Sequence, residues 1–155
     1  AGFSRKVVDF GIIHFLQIIH EQNRLLLPIV ADHDGILIKV EADSLLVIFR
    51  RTDRALACAV AMQRACERHN QSQPPEQKVW LCVGIGHGRV LRIGDTDVFG
   101  QQVNAASRLG EDTAKSTEIL VTGEARDKLE GVPGITFEPL DVEVAGSPRN
   151  FRVRY

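Results

Sequence analysis

Three cysteines in 155 residues are too few and too oddly numbered to pair off, and Cys58, Cys66 and Cys82 fit no metal-ligand spacing. They read as reduced thiols of a cytoplasmic protein. On a helix over residues 52–69, Cys58 and Cys66 would stand roughly 12 Å apart along the axis, too far to bridge. No apolar run approaches the roughly twenty residues of a membrane span, and no signal-peptide pattern opens the sequence, so any membrane tether is expected outside it. Charge of neither sign is in excess: nineteen basic residues stand against twenty acidic ones. That balance excludes a phosphate-backbone stripe, and nucleic acid is not expected as a partner. The five histidines have no ligand spacing with one another or with the cysteines, and there is no internal repeat. What is present is a chain 44% hydrophobic, enough for one compact domain over residues 1–155.

The pattern predicts a long helix over residues 6–32, with Ile12, Phe15, Ile19, Leu26 and Ile29 on its inner stripe and a kink or early finish at Pro28. A strand pair follows, residues 36–40 and 43–49, turning at Glu41 and Ala42. A second helix is expected over 53–70, with Ala55, Ala59, Met62 and Cys66 facing inward. Residues 70–77 form a polar connector. Val79, Leu81, Val83 and Ile85 alternate as a strand, and Gly94 with Asp95 reads as a two-residue hairpin turn. A third helix starts near Gly100, then come a strand at 118–122, a short helix at 123–129, and a terminal hairpin of 135–141 with 149–154.

The most specific stretch is TDVFGQQVNAASRLGED, residues 96–112. Asn104 and Arg108, four residues apart on a helix, lie on one face. An amide beside a guanidinium fork suits a phosphoryl group gathering negative charge. GIGHG, residues 84–88, lacks the Lys-Ser or Lys-Thr of a phosphate loop and reads as a strand end where small residues allow close approach of the partner chain.

The run from Phe99 to Leu109, together with Lys39 four residues before Asp43 and the opening AGFS, resembles the catalytic domain of the class III adenylate and guanylate cyclases. That resemblance implies an α+β, ferredoxin-like βαββαβ sandwich whose first strand would precede Ala1, so that the chain is N-terminally truncated. It implies that Asp43 binds one of two Mg²⁺ or Mn²⁺ ions and that Gly2 and Phe3 offer backbone N–H groups to the phosphates. It also implies that Lys39 and Asp97 read adenine, Asn104 orients the ribose and Arg108 steadies charge at the α-phosphate. The substrate implied is ATP, the product cyclic AMP, and the assembly a homodimer in which each site draws on both copies. Sensor or regulatory segments are expected outside this chain.

Some residues depart from the family pattern. Ala42 stands where glycine usually precedes the metal aspartate. The late lysine that holds the triphosphate should fall near residues 143–147, which read EVAGS, leaving Arg149 as a candidate replacement. The hairpin from Arg89 to Asp97 is short. Other readings therefore stay open: Asp43 as a turn residue, Lys39 as a solvated strand lysine, Arg108 as a surface partner of Glu111 or Asp112, and the whole domain as an inactive, nucleotide-binding or dimerising regulatory module.

Overall fold

A computed structural model describes residues 11–155. The first described element, α1 (Ile12–Asp32), buries Phe15, Ile18, Gln22, Leu26 and Val30. This stripe shares Phe15 and Leu26 with the expected one, but Ile12 is exposed, while Ile19 and Ile29 are only half-buried. Residues 6–10 of the expected helix, like Gly2 and Phe3, lie outside the described residues. Pro28 does not end α1, which continues to Asp32. Proline forfeits the bond to the carbonyl four residues back, but Leu26 and Val30 anchor the helix on either side of it.

The strands β1 (Ile36–Glu41) and β2 (Ser44–Ile48) pair antiparallel, with a bulge between Leu37 and Lys39. The helix α2 (Thr52–Asn70) then packs on α1, burying Leu56, Cys58, Ala59, Ala65 and Cys66. Burial pushes the Cys58 and Cys66 thiols up to about 11, so both stay protonated and behave as small apolar side chains. The expected strand from Val79 narrows to β3 (Val83–Ile85), because Val79 is held instead by the Asn70 side chain, which both donates to and accepts from its backbone at 2.8 Å.

A hairpin of β4 (Leu91–Ile93) and β5 (Asp97–Phe99) leads into α3 (Gln101–Arg108). Its loop has three residues rather than the expected two, since Ile93 pairs with Asp97 and Gly94 takes the left-handed conformation at φ 57°. Beyond α3 come a wider π-turn (Leu109–Thr113), β6 (Ile119–Thr122), α4 (Gly123–Lys128), β7 (Thr136–Leu140) and β8 (Asn150–Arg154). The main sheet runs β3-β6-β8-β7, with β3 and β6 parallel and the other pairs antiparallel.

This is the expected α+β architecture from its first helix onward. α2 and α4 cover one face of the main sheet, burying Leu56, Ile85, Ile119, Val121, Ala125, Leu129 and Val153 in one core. Across the other face runs α3. The hairpin β1–β2 forms a separate two-stranded sheet, and the β2 and β3 segments both line a cavity of about 490 Å³. In the ferredoxin-like order the first strand belongs between those two edges, and no described residue fills that place.

Candidate functional site

Lys39 and Asp97 come together from segments far apart in the sequence. Lys39 leaves β1 just after the bulge, β5 packs beside β1, and the Lys39 Nζ lies 3.4 Å from Asp97 Oδ1. A second acid shares the lysine: Glu41 Oε1 is 3.2 Å away. The Glu41 carboxylate holds the ammonium pKa above its ordinary value, with Asp97 adding to the effect, so Lys39 is a charged donor and never an acceptor. Asp97 Oδ1 also accepts from the backbone N–H of Val98 at 2.9 Å, which fixes the carboxylate's orientation. The pair therefore presents one donor and one acceptor side by side at a surface only part-exposed. Such a pattern can read the edge of a base.

Asn104 and Arg108 share the exposed face of α3, opposite the buried Gln102, Ala105 and Leu109. Arg108 Nη1 meets Asp112 Oδ2 at 3.1 Å, an ion pair exposed on both sides. Exposed pairs of this kind contribute about 0–1 kcal/mol, so the guanidinium is easily drawn to a phosphate. Directly after Arg108 the helix widens into the π-turn, closed by Ala114 N donating to Leu109 O at 2.7 Å. π-turns are rare and concentrate at functional positions. Below it, backbones touch. A Cβ on Gly84 would come within 2.1 Å of Ala106 O, and one on Gly110 within 2.9 Å of Gly84 N. Only glycine lets α3 lie this close to β3.

Asp43 is half-buried on the wall of the large cavity, and its backbone carbonyl accepts from Gln22 Nε2 of α1 at 3.0 Å. The residue before it, Ala42, has φ 51°, the left-handed conformation that glycine adopts without strain. The family's glycine at this place thus has a backbone reason, which alanine meets at a cost of roughly 1 kcal/mol. Among the described residues no three His, Cys, Asp or Glu side chains cluster as a metal site. A single hard-oxygen carboxylate at a cavity still fits Mg²⁺ or Mn²⁺ with a nucleotide, because magnesium sites commonly use one or two carboxylates and take their other ligands from phosphates and water. The same cavity is lined by Val103, Ala106 and Ser107 of α3, but not by Asn104 or Arg108. Asp43 and the outer face of α3 are turned toward different spaces within one chain.

Residues 143–147 bring no cation to the site. The expected replacement, Arg149, packs on Gly123 and pairs with Asp127 Oδ2 at 3.1 Å. Three residues escaped the sequence reading: Glu41 beside Lys39, Gln22 beneath Asp43, and Gln102 on the inner side of α3. None of the three left a signal in the sequence; Gln102 shows itself only in the structure, on the inner side of α3 against Gly86 and Gly88.

A family model described as the adenylate and guanylate cyclase catalytic domain matches residues 10–152. The serine/threonine-protein kinase pkn2 of Myxococcus xanthus is 33% identical over 111 residues, covering 66% of this chain and 13% of that protein. A putative adenylate cyclase 3 of Rhizobium meliloti (strain 1021) is 35% identical over 82 residues, covering 53% of this chain and 14% of that protein. The chain thus corresponds to a small part of either relative. Among solved structures, an adenylate/guanylate cyclase/hydrolase from Silicibacter pomeroyi superposes with a TM-score of 0.80 at 26% identity, covering 99% of this chain and 88% of that one.

Proposed function

We propose that this chain, which belongs to the adenylate and guanylate cyclase catalytic domain family, closes ATP to cyclic AMP at a cleft completed by a second copy of itself. The observation that carries the choice of ATP is the approach of Lys39 to Asp97 at 3.4 Å. The ammonium donates to a ring nitrogen of adenine, and the carboxylate accepts from the exocyclic amine. Guanine offers a carbonyl and a ring N–H at those places, so it would meet donor with donor and acceptor with acceptor. A site that leaves buried polar groups unpaired discriminates strongly.

In the reaction the 3′-hydroxyl oxygen forms a bond to the α-phosphorus while the bond from that phosphorus to the β-phosphate's bridging oxygen breaks. The hydroxyl proton passes to solvent and pyrophosphate leaves. Asn104 orients the ribose, and Arg108 exchanges Asp112 for the charge developing at the α-phosphate, so rate comes from positioning and electrostatics. When bound, two Mg²⁺ or Mn²⁺ ions supply acidification of the 3′-hydroxyl and neutralisation of pyrophosphate, with Asp43 the described residue that would hold one.

The separate outlooks of Asp43 and the Asn104–Arg108 face support a site shared between two protomers. The β4–β5 hairpin supports it too: Leu91 pairs across the strands with Phe99, and both are more than half exposed, with Ile93 beside them. An apolar face of that kind suits a partner copy. The test is complementation. Asp43→Ala and Asn104→Ala chains should each be inactive alone, and mixing them should restore cyclic AMP output, because one cleft of each mixed dimer keeps both residues. Mixed dimers as silent as the single variants would refute the shared cleft.

A second reading, an inactive nucleotide-binding or dimerising module, is favoured by one observation: residues 143–147 carry no basic side chain and Arg149 is engaged by Asp127. ATP binding without turnover by wild-type protein carrying its natural N-terminal residues would select it.

A further inference from the structure

We infer that Gln102 is the positioning residue of this cleft, holding the first turn of α3 so that Asn104 and Arg108 face the nucleotide at a fixed tilt. This rests on the reading of α3 as the reacting helix. The Gln102 side chain is only 8% exposed and its amide is saturated. Its oxygen accepts from the backbone N–H of His87 at 3.2 Å and from Thr122 Oγ1 at 2.7 Å. Its nitrogen donates to Glu124 Oε2 and to the Gly146 carbonyl, each at 3.2 Å. Two lone pairs and two hydrogens are all used, which no other side chain of this size can do.

Those four partners belong to four different segments: the end of β3, the end of β6, the first turn of α4, and the loop before β8. Thr122 relays the connection, since the hydroxyl that donates to Gln102 also accepts from Ala125 N and caps α4. The socket is shaped for this residue. A Cβ on Gly86 would come within 2.5 Å of Gln102 O, and one on Gly88 within 2.8 Å of its Cγ. Likewise a Cβ on Gly146 would meet Gln101 Cγ at 2.7 Å.

Helical geometry makes the amide a lever. At 100° per residue, Asn104 stands about 200° and Arg108 about 240° around the axis from Gln102, so fixing the inner side aims the outer one. The other end of α3 is set by the Gly84–Gly110 backbone contact. A buried network in which every member is satisfied also rigidifies its surroundings, and geometry of this kind matters because small misplacements of a reacting group are costly in rate.

The test changes one atom's character in the full-length protein. Gln102→Glu keeps the shape but turns the donating nitrogen into an oxygen that opposes Glu124 and the Gly146 carbonyl. For ATP turnover kcat should fall about 10²-fold while KM stays within about threefold, the split expected when orientation and not binding is lost. Adding Glu124→Gln restores a donor opposite the new acid, and kcat should return to within about fivefold of wild type, a coupling that a generally damaged fold would not show. Amide hydrogen exchange over residues 101–108 and 142–147 should quicken in the single variant and recover in the double. Wild-type kcat in the single variant, or a double no better than the single, overturns the assignment. If wild-type protein makes no cyclic nucleotide, the reading of the reaction fails instead, and exchange alone decides the role of Gln102. Should Gln102→Glu not fold, Gln102→Met is measured in its place. The same loss of kcat is expected, and wild-type turnover overturns the assignment.

Discussion

The half of the molecule built on α1, β1 and β2 differs in kind from the half built on β3, β6, β8 and α3. In the second, Ile119, Val121, Ala125 and Leu129 are wholly buried and polar side chains such as Gln102 and Asn150 are bonded inward. In the first, every residue of β2 is only half-buried and the strand borders a cavity. Among the described residues one half is closed on both faces of its sheet, whereas the β2 wall faces the place that the first strand of this fold takes. On the proposed reading the difference sorts the site residues: Asp43 and Lys39 ride on the open half, while Asn104 and Arg108 stand on the outside of the closed one.

The largest effect that would break or sharpen this contrast concerns a contact that reaches from the open half to β5, the strand leading into α3. Exchanging Lys39→Glu together with Asp97→Ser should invert the preference from ATP to GTP, by about 10²-fold in relative kcat/KM if each mismatched polar group costs about 1–3 kcal/mol. Retained ATP preference would remove the pair from base reading. Next in size is packing. In chemical denaturation Leu129→Ala, in the closed core, should lose about 2–4 kcal/mol. Leu46→Ala, on the open wall, should lose less than about 1 kcal/mol because little cavity is newly made there. Equal losses would mean that the wall is as closely packed as the core. The smallest effect is a gain: Ala42→Gly should add about 1 kcal/mol, read the same way, by relieving the left-handed alanine.

Much of the closed half was legible in the sequence because its signals are local. The apolar run of β6, the short helix after it and the two strand segments of the β7–β8 hairpin each declare themselves within a few residues, and the observed boundaries fall close to the expected ones. The inner stripe of α1 was right at Phe15 and Leu26 but missed Ile18, Gln22 and Val30, since periodicity gives the width of an apolar face but not which edge meets the neighbouring helix. The strand expected from Val79 was shortened by a single tertiary contact from Asn70, invisible to alternation. Among site residues, the proximity of Lys39 and Asp97 was expected from family resemblance alone, because nothing local links β1 to β5. Gly2 and Phe3 lie outside the described residues. The surface pairing of Arg108 with Asp112 was one of the alternatives for that residue and is the contact it makes in the free chain. Gln102 was passed over because an amide within a helix motif looks ordinary until its four partners are known.

The backbone contact between Gly84 and Gly110 has a consequence for how such a domain ages in evolution. Any side chain at position 84 must push the neighbouring helix outward, since even a methyl group would overlap Ala106. A descendant could therefore keep every polar residue of its nucleotide motif and still fall silent through one alanine buried out of sight. Inventories of surviving motif letters would count that protein among the living enzymes.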